Sequence, residues 1–335
     1  MVRIVTLLTA IGFAALAHPA VAFESGEASP EATPCAACGA SESCGACEAC
    51  VTCGGWCAAC ENWCDWIRVG NGNGNGNGNG EDEPLVTDRP DFTEASSVVG
   101  HGRIQLETGY TFVYNDSEDD GTITRTHGGP ETLLRIGWTD HFEFRIFWNY
   151  LWERSGDEAT ADTLDGAEDL VLGAKIALWE QCCALPETAF IVQFTVPTGA
   201  NAFSNQDVTV GVNLLYSWEM PGDWTLGGST GYANSAELIS ITLPALLTPA
   251  DFLDHRNVVS QSLTVGVPIT ERIGMYAEGF AFFTEEAVDN RPQYFVNGGF
   301  TFLVNNDLQL DIRAGEGLND ASDDLFAGVG LSVRR

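Results

Sequence analysis

Positive charge is what this sequence has least of. Lys and Arg total 15 against 47 Asp and Glu, so 15 − 47 gives a net charge of −32. A chain this acidic repels phosphate backbones, which excludes a nucleic-acid partner. Lysine is scarce, while glycine is plentiful at 37 residues and aromatics make up 10%. That balance suits a folded β protein of a bacterial envelope better than a cytosolic enzyme, and the 44% hydrophobic content argues against a disordered acidic chain. Long apolar runs are missing beyond the N-terminus. If the mature chain sits in a membrane it must close into a barrel, because only helices and barrels satisfy the backbone in lipid. Catalytic signatures are missing too. There is no Gly-x-Ser-x-Gly elbow, His-x-x-x-His or Glu-x-x-His pair, and His101, His127, His141 and His255 fall in expected loops or turns. No enzyme activity, cofactor or metal is expected, and the acidic run Asn115 to Gly121 reads as a solvated loop rather than a calcium site.

The N-terminus reads as an export signal over residues 1–22. Arg3 opens it, Ile4 to Ala17 is its apolar stretch, and Ala20-Val21-Ala22 is the cleavage site. Residues 23–69 form a cysteine-rich module with Cys35, Cys38, Cys44, Cys47, Cys50, Cys53, Cys57, Cys60 and Cys64. An exported chain meets an oxidising space, so these and the Cys182-Cys183 doublet are candidate disulfide partners, with zinc or another soft metal as the alternative. Residues 70–84 are a Gly-Asn and acidic run that acts as a flexible linker. The remaining residues, 85–335, form a second body.

In that body Asn306 to Gly315 is the clearest stretch. Leu308, Leu310, Ile312 and Ala314 share one face of an extended chain, and Gln309, Asp311 and Arg313 the other. A sandwich would hide the aliphatic face in a core, whereas a membrane barrel would turn it to lipid. Twelve such segments can be counted, beginning with Arg103–Tyr114, Glu131–Trp138 and Phe142–Trp152 and ending with Asp324–Arg334. Their connections alternate in length. Asn115–Gly129, Glu153–Ala167 and Ser235–His255 are long, while Thr139–His141, Thr270-Glu271 and Asn305–Asp307 are tight. Long outer loops and short periplasmic turns are the habit of outer-membrane barrels, and a Greek-key sandwich has no reason to alternate so. Trp138, Trp148, Trp152, Trp179, Trp218 and Trp224 lie near expected strand ends, where a lipid–water girdle would need them. The expected fold is therefore all-β, a transmembrane antiparallel up-and-down barrel of about twelve strands, with the Cys-rich extension on its periplasmic side.

Thr87-Asp88-Arg89-Pro90-Asp91-Phe92-Thr93-Glu94, the first strand Gly102 to Tyr110, and a closing hairpin with Leu308 to Asp311, Gly315 to Asn319 and Gly328-Val329-Gly330 carry a family resemblance. Over about residues 85 to 335 the chain resembles the MetA-pathway of phenol degradation family of outer-membrane transporters. The resemblance implies an outer-membrane barrel passing small molecules, with aromatic compounds suggested. The Cys-rich module and the linker lie outside that pattern.

Parity makes Arg103, Glu107, Arg135, Glu143, Arg145, Lys175, Glu278, Asp311 and Arg313 candidate lumen residues. They either set the charge preference of a pore or pair across strands and fill a small barrel. The Thr87–Glu94 segment either folds into the lumen as a plug or gate, through Asp88, Arg89 and Asp91, or is a periplasmic lead-in that only fixes the first strand. The lead-in is the plainer expectation. Two functions follow. One is an outer-membrane channel for small, hydrophobic or aromatic solutes, with membrane lipid and the solute as partners. The other is an envelope anchor whose Cys-rich module meets a periplasmic partner, with no transport role.

Overall fold

The computed structural model describes residues 83–117, 121–156, 161–181, 184–241, 250–285 and 291–335. The signal peptide, the Cys-rich module, most of the linker, Cys182 and Cys183 lie outside the described residues. Among the described residues there is no helix. Fourteen strand segments run in chain order: β1 (Ile104–Asp116), β2 (Ile123–Thr139), β3 (Phe142–Trp148), β4 (Tyr150–Ser155), β5 (Asp162–Ala167), β6 (Leu170–Trp179), β7 (Glu187–Val196), β8 (Thr209–Met220), β9 (Trp224–Ile241), β10 (Ala250–Thr270), β11 (Ile273–Glu285), β12 (Gln293–Asn305), β13 (Leu308–Gly317) and β14 (Leu325–Arg334). β3 and β4 both pair with β2, on either side of Asn149, and β6 and β5 continue that arrangement outward from β3 and β4. Each of these pairs is one interrupted strand, so 14 − 2 leaves twelve. Neighbours pair antiparallel, and β1 pairs with both β14 and β2, which closes the sheet into a barrel.

Side-chain parity decides which face is wet. On β13, Leu310 and Ile312 are 44% and 43% exposed on the outside, while Asp311 is 1% exposed on the inside. Leu106, Phe144, Leu172, Phe194, Leu263 and Val329 are likewise exposed outside, and Glu107, Arg135, Glu143 and Lys175 are buried inside. A water-soluble sandwich reverses this order. An apolar exterior of this extent is stable only against hydrocarbon.

The tight connections cluster at one end of the barrel with the chain's C-terminus, and the long ones at the other. Most strands are longer at the long-loop end than the sequence pattern indicates. The expected Glu153–Ala167 loop is largely the hairpin β4–β5, and the expected Asn115–Gly129 and Ser235–His255 loops lose residues to β1, β2, β9 and β10. Apolar alternation stops where lipid stops, but backbone pairing continues because ladder hydrogen bonds need no apolar face. The tryptophans only partly follow the expected girdle. Trp138 (64% exposed) and Trp224 (50%) mark the short-turn end and Trp152 (44%) the other end. Trp148 lies midway, opposite Thr132 and hence Thr108, because its strand continues through β4.

Candidate functional site

Residues 85–99 are inside the barrel. The segment enters at the short-turn end, where the Leu85 amide donates to the Asn306 carbonyl at 2.7 Å. It rises to Phe92, which stacks on Phe280 at 4.7 Å between ring centroids and meets Phe282 edge-on at 5.3 Å. It then returns, and the Gly102 amide donates to the Gly137 carbonyl at 2.9 Å just before β1 begins. The expected periplasmic lead-in is thus corrected: the segment fixes the first strand by way of a loop through the lumen. Wall glycines make room for it. A Cβ on Gly137 would lie 2.1 Å from the Gly100 carbonyl oxygen, and one on Gly330 would lie 2.3 Å from Arg89 Nε.

Two charged layers grip the segment. In the lower layer the wall contributes Arg135, Arg145 and Lys175 against Glu107 and Glu143, one cation in excess. The segment supplies Asp88 and Glu94. Asp88 Oδ1 is 2.8 Å from Lys175 Nζ and 3.3 Å from Arg135 Nη1, and Arg145 pairs with both Asp88 and Glu94. Arg135 also contacts Glu143 at 2.9 Å and Glu107 at 3.1 Å. The wall carboxylates hold the segment by its backbone as well: Glu107 accepts the Asp88 and Arg89 amides, and Glu143 accepts the Val99 amide at 2.7 Å. Burial by itself would raise the Asp88 carboxyl, but Arg135, Lys175 and Arg145 outweigh it and hold Asp88 well below the usual carboxylate range.

In the upper layer the charges are reversed. The wall offers Glu131, Asp311 and Glu278 against Arg313, two anions in excess, and the segment supplies Arg89, 2.8 Å from Glu131 and 3.4 Å from Asp311. Arg313 donates to the Pro90 carbonyl at 3.0 Å. Glu278 accepts the Phe92 and Thr93 amides, both at 2.7 Å, and the Thr93 hydroxyl at 2.6 Å. Among the described residues Asp91 meets no such cation. Burial first, and then neighbouring Glu278, push its carboxyl well above the usual range. Asp91 is thus brought into the lumen beside an acidic stretch of wall.

Eight of the nine residues expected in the lumen face it. The ninth, Arg103, precedes β1 and sits at the short-turn rim, 3.7 Å from Asp307. Parity could also have found Glu131, two residues before Leu133 and four before Arg135, and the Phe280–Phe282 pair, in step with Glu278. Phe92 and Glu94 had no such signal, since the segment carrying them has no strand period.

Above the segment, toward the long loops, a cavity of about 220 Å³ remains against the wall formed by β1, β2, β3, β4 and β6. Phe92, Leu133, Phe147, Leu151 and Val171 give it carbon, while Asn149, Glu168 and charged groups such as Arg89, Glu131, Arg145 and Arg313 also line it. Asn149 donates to Glu168 at 2.8 Å. The connection between β7 and β8 folds inward beside this region. Asp169 accepts the Gly199 amide at 2.8 Å and the Asn205 amide at 2.7 Å, and Phe203 is buried against Gly166.

Among solved structures the chain is similar to an outer membrane channel from Pseudomonas putida F1, at 12% identity and a TM-score of 0.51, covering 72% of this chain and 98% of that one. The translocator domain of the autotransporter NalP from Neisseria meningitidis gives 12% identity and a TM-score of 0.49, covering 70% and 89%. No curated protein matches the sequence. The first likeness supports the twelve-stranded barrel, and the apolar exterior places it in the outer membrane with lipid around it. A family model matches residues 87–334, and the chain belongs to that family, described as "Putative MetA-pathway of phenol degradation".

Proposed function

We propose that this protein is an outer-membrane channel for small solutes with a substantial apolar surface, in which residues 85–99 act as the gate. The carrying observation is the match between segment and wall. Asp88 and Glu94 meet the layer with excess cations, Arg89 meets the layer with excess anions, and Phe92 meets a phenylalanine wall. Complementarity of that kind fixes register and favours one docked state. With the segment docked the lumen is filled at its lower half. With it displaced, the wall charges Glu107, Arg135, Glu143, Arg145, Lys175, Glu278, Asp311 and Arg313 would line a wet path.

The cavity above the segment supports the choice of solute. A dry cavity of about 150 Å³ accepts benzene in an engineered protein, so roughly 220 Å³ suits one substituted ring. Apolar surface from Phe92, Leu133, Phe147, Leu151 and Val171 beside placed polar and charged groups is the usual make-up of a small-molecule site.

The test is reconstitution of the full-length chain into planar bilayers and proteoliposomes. Deleting residues 85–99 should raise conductance several-fold and speed the entry of single-ring aromatics relative to sugars of similar mass. A correctly folded deletion variant that passes neither ions nor aromatics would support the anchor function instead.

A further inference from the structure

The few cations among the described residues are mostly inside the barrel or at its short-turn rim. Among the described strand residues, Arg125 and Arg154 are the cations that point outward. Thr126 on β2 and Leu151 and Glu153 on β4 are buried on the lumen side, which turns Arg125 and Arg154 to the opposite face. The two are register partners, Arg125 on β2 facing Arg154 on β4.

Their height on the wall is specific. Arg125 pairs with Tyr114 on β1, and Ile104 at the foot of β1 pairs with Ile136, two residues from the exposed Trp138. Ten residue steps separate Ile104 from Tyr114. At about 3.3 Å per residue and a tilt of about 40°, that is roughly 25 Å along the membrane normal, the height of a barrel's apolar belt. Both arginines therefore stand where hydrocarbon gives way to headgroups on the long-loop side, which faces the cell exterior in such barrels. One rung lower, Phe112, His127 and Trp152 lie side by side and continue the apolar surface downward.

We infer that Arg125 and Arg154 form a binding site for a phosphate group of an outer-leaflet glycolipid, whose acyl chains lie over Phe112, His127 and Trp152. Like charges at facing strand positions repel, and a phosphate between them replaces that repulsion with charge-assisted hydrogen bonds. Arg125 is braced by the Tyr114 ring, 5.7 Å from the guanidinium carbon. Arg154 makes a further contact of its own. Two guanidinium groups carry ten N–H donors between them. Among the described outward acids, Asp165 accepts the Tyr150 hydroxyl at 2.6 Å, Asp116 lies two residues above Tyr114 on β1, and Glu316 lies beyond β1 and β14. In a chain of net charge −32, a paired cation on the lipid face at this level also counters repulsion between the acidic loops and an anionic leaflet.

The test uses the full-length protein reconstituted in phosphatidylcholine vesicles containing either phosphorylated lipid A or the same lipid A with its phosphates removed. After extraction and washing in detergent, native mass spectrometry counts the lipid A retained per barrel. The phosphorylated form should be retained about tenfold more than the dephosphorylated form. The double variant Arg125→Gln, Arg154→Gln should lose that difference, while Arg272→Gln at the opposite end should keep it. An excess of inorganic phosphate should leave the retained lipid in place, because the acyl chains share the contact. Equal retention of the two lipids by the native barrel overturns the site, and this arm stands even if the double variant does not fold. Retention unchanged in a double variant that migrates as a folded barrel before heating also overturns it, as does stripping of the lipid by phosphate, which would mark a simple anion site.

Discussion

Asp88 is the side chain on which the closed state turns. Its carboxylate touches Lys175, Arg135 and Arg145, and removing one partner of a buried ion network leaves the others uncompensated, at a cost of about 3–5 kcal/mol. Asp88→Ala should therefore raise the open fraction of the channel strongly in single-channel recordings, and an unchanged trace would mean the segment is held without it. The pH dependence has two opposed parts. Asp88 has a depressed pKa in the docked state, so its contribution is present above the ordinary carboxylate pKa and is lost only as pH falls through the depressed value. Mild acid should not release it. Asp91 has a raised pKa, so docking weakens as pH rises from the ordinary value through the raised one. Conductance should accordingly fall when a neutral bath is made mildly acidic, and Asp91→Asn should flatten that dependence and lower conductance at neutral pH.

The 85–99 segment is an element without secondary structure, held by wall carboxylates rather than by a sheet. Its return limb passes so near β2 that a Cβ on Gly137 would strike the Gly100 and Val99 carbonyl oxygens at 2.1 and 2.3 Å. Gly137→Val should displace the limb while leaving the barrel folded, because the position lies on the lumen face and does not break the ladder. Heat-resistant gel migration together with raised conductance checks both halves of that expectation. Phe92→Ala removes the ring stacked on Phe280 and edge-on to Phe282 and should lower the barrier to opening without changing ion selectivity, since no charge is lost. The strands were legible because each repeats with period two, as Leu310 and Ile312 against Gln309 and Asp311 illustrate. The segment was not, because its contacts are remote in sequence: Arg89 meets Asp311 across 222 positions, and nothing local foretells that meeting.

At the scale of the whole molecule, the sequence between β1 and β2 carries Glu118, Asp119 and Asp120, and that between β4 and β5 carries Asp157 and Glu158. Replacing these five by Asn or Gln should lower the cation-to-anion permeability ratio of the open channel, measured as a shift in reversal potential under a salt gradient and diminished at high ionic strength. An unmoved reversal potential would place selectivity in the lumen layers instead. Chain order and parity alone settled the closed sheet, its twelve strands and the identity of its wet face, because a strand's faces are assigned by counting and lipid tolerates only one assignment. Tertiary structure alone decided what fills the wet interior. Closing the sheet brings β1, β2, β3, β6, β11 and β13 around one axis, so a coil threaded between them meets charges drawn from across the chain, and only in three dimensions does Asp88 find its three cations and Asp91 find none.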